Sequence, residues 1–249
     1  MRTISFLNMK GGVGKTTTSI NVAAGLASKG YTVLLIDYDP QGNTTSMFEN
    51  EIPNTTISTL MVDGGTADQA MIEVQDRLWL IPSELALANA EMDLRMQANA
   101  PQHNRLQRII RPVSNRFDFC IIDCAPIINL LTVNAIMVSN EIIVPIKPDK
   151  FAIQGFNVTI KNLKQVCENF ELDIDYKILF TIVNKNNEEK NLMSQVTKIV
   201  GPKRVFKTVI RNQPKPVISA SSRNQMVIND NKAKVAEDLK ELVQEILEG

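Results

Sequence analysis

Short, almost uninterrupted apolar runs alternate along this chain with longer segments in which apolar residues return every three or four positions. The runs at 4–9 (ISFLNM), 31–37 (YTVLLID), 78–82 (LWLIP), 117–123 (FDFCIID), 141–146 (EIIVPI) and 176–184 (YKILFTIVN) predict strands. Helical spacing follows the first run and stops at Gly30, and it recurs over 84–98, 102–111, 155–170, 188–200 and 235–249. In the last of these, Val235, Leu239, Leu242, Val243, Ile246 and Leu247 share one face. Strands that are apolar throughout are buried on both sides. The alternation therefore predicts an α/β fold, a mainly parallel twisted sheet flanked by helices on both faces. Segments 42–66 and 211–231 are polar without a clear period and predict irregular surface regions. No internal repeat, low-complexity tract or obvious linker breaks the 249 residues, and the chain is read as one domain over 1–249.

Sheets of this kind bind ligands at the carboxyl ends of their strands, and the candidate chemistry falls there. After the first strand the chain reads MKGGVGKT, 9–16. This is a phosphate-binding loop, G-x-x-x-x-G-K-[ST], with Met9 where the first glycine belongs. The backbone of Gly11, Gly12, Val13 and Gly14 can turn its N–H groups toward phosphate oxygens, and the following helix aims its positive end at the same place. Lys15 would reach the β and γ phosphates, Thr16 would ligate Mg²⁺, and Thr17 would bond the α-phosphate. The second strand ends in DYDPQGN, 37–43. If it stops near Asp37, Asp39 is free to turn into the nucleotide site. The strand FCIID ends on Asp123, where a Walker-B carboxylate organises Mg²⁺ and its waters. Together these residues describe phosphoryl transfer to water.

Composition narrows the alternatives. Lys plus Arg is 27 and Asp plus Glu is 27, so any nucleic-acid or membrane surface must come from local clustering. Cys120, Cys124 and Cys167 form no C-x-x-C pair, which argues for a reducing, cytoplasmic compartment and against a disulfide framework or a cysteine-rich zinc site. The lone His103, read as a surface or loop residue, makes histidine-based catalysis a poor fit. No apolar run reaches the roughly 18 residues of a membrane span.

KGGVGKTT, VLLIDYDPQGN and FCIID together resemble the ParA/MinD family of deviant-Walker ATPases, nearest its ParA/Soj branch, which segregates plasmids or chromosomes. LLTVNA (130–135), IIVPIKPD (142–149) and VFKTVI (205–210) extend the likeness over most of the chain. The resemblance implies ATP and Mg²⁺ as cofactors, an ATP-induced homodimer, nonspecific DNA as a ligand and a separate ParB-like centromere-binding protein as the stimulating partner. It makes Lys10 the lysine that crosses a sandwich dimer to the partner's phosphates, and Asp39 the acid that orients the attacking water. Asp37 becomes the companion acid, Asn184 the residue that reads adenine, and 40–43 and 124–129 the two switch segments. Cys124–Ala125–Pro126–Ile127 departs from the family's usual two prolines and a serine. The segment 211–231 departs from the chromosomal pattern and suggests a plasmid-type member.

A second lysine in the loop has a physical rationale of its own. A triphosphate between two subunits carries about four negative charges in a partly dry site, and a cation from the partner helps only when nucleotide and dimer coincide. Between 198 and 234, Lys198, Lys203, Arg204, Lys207, Arg211, Lys215, Arg223, Lys232 and Lys234 face one acid, Asp230. That asymmetry suits DNA phosphates, with Lys198, Lys203, Arg204, Lys207, Arg211, Lys215 and Arg223 as the candidate contacts. The C-terminal helix is amphipathic but acidic, a poor match for anionic lipid, so no membrane partner is expected and a MinD-like membrane role is the alternative reading. The chain begins almost at its first strand, leaving no room for the helix-turn-helix extension of larger ParA proteins.

Overall fold

The computed structural model describes residues 1–48, 53–97, 101–184 and 186–249. The elements run β1 (Arg2–Phe6), α1 (Lys15–Ser28), β2 (Val33–Tyr38), α2 (Ile57–Asp63), β3 (Ile72–Gln75), β4 (Leu78–Ile81), α3 (Leu87–Met96) and α4 (Arg105–Ile110). They continue with β5 (Phe119–Cys124), α5 (Leu130–Val138), β6 (Glu141–Ile146), α6 (Ala152–Asn169), β7 (Asp175–Phe180), α7 (Asn187–Val200), α8 (Pro214–Ser221) and α9 (Lys234–Glu248). One sheet has the order β3-β4-β2-β5-β1-β6-β7, and every neighbouring pair is parallel except the β3–β4 hairpin.

Each central strand is buried on both sides, and its residues alternate between two cores. Ile4, Val33, Leu35, Phe119 and Ile121 pack with α1 and α9. Leu34, Ile36, Cys120 and Ile122 pack on the other side with α2 through α6. Gly25 is where α1 meets α9. A Cβ there would sit 2.7 Å from both Ile228 Cδ1 and Val243 Cγ2. Those are packed core side chains, so Gly25→Val should lose about 2 kcal/mol or more of stability through overpacking, read as a lower urea midpoint.

The pattern-based expectations hold for every strand and helix named, with ends displaced by a few residues; position 98 of the 84–98 pattern lies outside the described residues. Four elements were not anticipated. The segments expected to be irregular contain α2 and α8, although 49–52 of the first lie outside the described residues. α5 (LLTVNAIMV) is apolar nearly all round and so shows no 3.6-residue stripe. β3 is a four-residue edge strand whose side chains alternate between half-buried and exposed. His103 lies in a turn, half-buried with its ring 5.0 Å from that of Phe170.

Candidate nucleotide site

β1 and α1 are joined by the lysine-rich loop at the centre of the sheet's carboxyl edge. Gly12 and Gly14 have φ of 70° and 81°, a conformation that side chains resist, which fits glycine at both. Gly14 is the residue before α1 and has no side chain to cap it, so the first amides of the helix are left for a ligand. Lys15 is 7% exposed and its Nζ donates to the Lys10 carbonyl at 3.3 Å. Burial pushes its pKa down, against Asp123, Cys124 and Asp39, which favour the ammonium. The Lys10 Nζ is elsewhere, 2.6 Å from both carboxylate oxygens of Asp149 in the loop after β6.

Asp37 and Asp123 are direct neighbours on β2 and β5 and are almost fully buried. Burial raises the Asp37 pKa to about 7, with the Asp123 charge adding to it and Thr45 opposing it. Burial raises Asp123 to about 6, against the Thr16 and Thr44 hydroxyls and Lys15. The residues that manage this acid pair are Thr44 and Thr45, which the sequence reading passed over although they directly follow DPQGN. Thr45 donates through N and Oγ1 to Asp37 Oδ2 at 2.8 and 2.7 Å, and Thr44 Oγ1 donates to Asp123 Oδ2 at 2.8 Å. Asp37 Oδ1 also accepts from the Asp39 amide at 3.3 Å, so Asp37 helps hold the turn that follows β2. Asp39 lies just past the strand, 8% exposed, with one oxygen held by the Gln41 amide at 2.9 Å.

Asp123 Oδ1 is buried and has no hydrogen-bond partner. An orphaned carboxylate oxygen beside a threonine hydroxyl is a hard oxygen donor set of the kind Mg²⁺ takes, so Thr16 and Asp123 fit the ion expected of them. Protonation should be visible in the ligand-free protein. Both folded-state pKa values lie above the unfolded value near 3.8, so between about pH 8 and pH 5 the folded chain binds protons that the unfolded chain does not. Stability should therefore rise as pH falls through this window, on the order of a few kcal/mol, and thermal unfolding at pH 8, 6.5 and 5 would read it. A flat or opposite trend would remove the acid pair as a strained element.

Beside the loop lies a mostly apolar slot of about 280 Å³, lined by Gly14, Thr17, Ile182, Asn212, Pro214 and Ile218 among others. Asn184 does not line it. Its side chain donates to Glu189 at 2.8 Å and accepts from Asn212 at 2.8 Å, which holds Asn212 at the slot wall.

The segment that carries most of the basic candidates runs alongside the edge strand β7. Val205 pairs beside Ile178 inside β7, whereas Arg211 pairs beside Val183 beyond its carboxyl end. Arg204, 3.9 Å from Asp175, lies at the amino end of that strand, and Lys215 is on α8. Arg204 stacks 4.2 Å from the Tyr176 ring centroid. Arg211 is committed to buried Asp238, with Nη2 2.5 Å and Nε 2.7 Å from its oxygens. Lys198, Lys203, Lys207, Lys215 and Arg223 are exposed.

A family model described as an AAA domain matches residues 1–178. The chain is 31% identical over 248 residues to the sporulation initiation inhibitor protein Soj of Bacillus subtilis, covering 98% of this chain and 97% of that one. It is 30% identical to the chromosome partitioning protein ParA of Myxococcus xanthus, covering 99% and 88%. Apo McdA of Cyanothece superposes with a TM-score of 0.88 over 99% of both chains at 22% identity. Cobyrinic acid a,c-diamide synthase of Mycobacterium smegmatis, bound to an ATP analog and magnesium, does so at 0.84 over 99% and 94% with 24% identity. At those identities the structural likeness is one of fold, but the sequence relatives run the length of the chain. The chain therefore belongs to the ParA/MinD family of P-loop ATPases, on its Soj/ParA partition branch.

Proposed function

We propose that this chain is a DNA partition ATPase in which ATP assembles a sandwich dimer, the dimer binds DNA without sequence preference, and a ParB-like partner stimulates hydrolysis and release. The observation that carries the reading is the division of labour between two lysines of one loop. Lys15 is buried within reach of the Asp123 and Asp39 charges, while the Lys10 ammonium is held by Asp149. A lysine so placed suits a phosphate other than its own subunit's. In this reading the amides of 11–14 and Lys15 cradle the phosphates, and Thr16 and Asp123 hold Mg²⁺, which supplies charge neutralisation on the phosphates when bound. Asp39 orients the attacking water, and the slot beside Gly14 and Thr17 takes the base, with Asn184 acting through Asn212. The DNA surface would draw on the exposed Lys198, Lys203, Lys207, Lys215 and Arg223 rather than on Arg211, whose charge is already spent on Asp238.

The membrane alternative is disfavoured by α9. Its apolar residues Val235, Leu239, Leu242, Val243 and Ile246 are buried in the core with α1, leaving an acidic outer face. Among the described residues no helix is long and apolar enough to cross a membrane. An amide-forming synthetase shares the fold, and that reading would require turnover that depends on an organic co-substrate. The deciding experiment measures binding to random-sequence DNA with ATP, ADP and no nucleotide, and repeats it with anionic liposomes. ATP-dependent DNA binding that weakens steeply with salt is expected. Equal affinity without nucleotide, or binding to liposomes alone, would overturn the proposal.

A further inference from the structure

The contact that holds Lys10 is built rather than incidental. Its ammonium meets both oxygens of Asp149 at 2.6 Å and lies 5.8 Å from the Phe151 ring centroid. Gly155 of α6 lies against the lysine stem, so that even a Cβ there would be 3.7 Å from Lys10 Cβ and Cδ. Asp149 is itself pinned, its amide donating to the Lys147 carbonyl at 2.9 Å and its Oδ1 accepting from the Phe151 amide at 3.0 Å. The two side chains are 26% and 30% exposed. Burial pushes the Asp149 pKa up, but Lys10, the Phe151 amide and Lys147 outweigh it and hold it below the ordinary carboxylate range. The Lys10 amide is fixed as well, donating to Asn8 Oδ1 at 2.9 Å.

We propose that Asp149 is a positioning residue that holds Lys10 within its own subunit until the phosphates of a nucleotide-bound second copy compete for it. The inference rests on the reading of Lys10 as the lysine that crosses a dimer. Asp149 offers two oxygens of one anion in the arrangement a phosphate would offer, so dimerisation exchanges one anion for another rather than desolvating a free ammonium. The exchange favours a triphosphate over a diphosphate, because the diphosphate brings less charge to compete with a bidentate carboxylate. Asp149 thereby sets the nucleotide concentration at which two subunits close, and it disfavours closure on ADP.

Asp149→Asn tests this with little disturbance to the loop, since its side-chain oxygen can still accept from the Phe151 amide while the charge is gone. Asp149→Glu keeps the charge and serves as the rescue. In the ligand-free protein, acylation of the Lys10 amine, followed by mass spectrometry, should be several-fold faster in the Asn variant. In sedimentation with ATP, the midpoint for dimerisation should fall roughly three- to tenfold and move back toward wild type in the Glu variant. If wild type dimerises and the Asn variant does so at the same or a higher ATP concentration, the latch is overturned and the crossing lysine stands. Unchanged Lys10 acylation overturns it as well. If neither protein dimerises, both the latch and the dimer reading fall. Dimers in the Asn variant alone, or at lower ATP, support both.

Discussion

Asp39→Ala should bind ATP but turn it over at least about a hundredfold more slowly, the usual scale for loss of a group that positions or accepts a proton from the nucleophile. ATP-loaded dimers should then accumulate on DNA. Binding should survive for a structural reason. Asp39 lies outside β2, beyond the buried acid pair, and its carboxylate accepts from the Gln41 amide, so its removal leaves Thr44 and Thr45 seated on Asp123 and Asp37. On the proposed reading, the residues that hold phosphate and metal would thus be separable from the acid that orients the water. Single-turnover hydrolysis and equilibrium nucleotide binding, measured on the same preparation, check this. Wild-type turnover in the variant would remove Asp39 from the chemistry.

Lys10→Ala should abolish ATP-dependent dimerisation while leaving a folded monomer that still binds nucleotide. Its side chain is about a quarter exposed, and its removal leaves a stretch of Asp149 to water and opens no cavity in either apolar core. The loss should therefore be read in association rather than in unfolding. A charged group that touches a partner's phosphates in a dry interface is worth several kcal/mol, enough to move a dimerisation midpoint beyond any practical ATP concentration. Sedimentation with ATP and a parallel thermal melt separate the two effects. A variant that still dimerises with ATP would sink the crossing role. A variant that fails to fold would show the ion pair with Asp149 to be structural.

Much of this site was legible along the chain. The apolar runs at β1, β2 and β5 end on the glycine loop, on Asp37–Tyr38–Asp39 and on Asp123, and parallel pairing brings those three ends together without further information. The parts that were not legible are those in which one segment answers another far away. Thr44 and Thr45 look like ordinary loop residues until they reach Asp123, 79 positions on, and Asp37 beneath. α5 hid because a helix buried nearly all round has no stripe to read. The basic stretch 198–223 looked uniform, but Arg211 is held by Asp238, a buried acid 27 positions on in α9.

The sequence by itself determined the sheet, the phosphate loop and the acidic strand ends, because hydrophobic periodicity and close-spaced motifs are local properties of a chain. It also marked Lys10 as a second cation. Only the tertiary structure decided where that cation goes. Asp149 lies 139 positions away, and no local spacing relates two residues on separate loops. They meet because β1 and β6 are adjacent parallel strands whose carboxyl ends deliver both loops to the same edge.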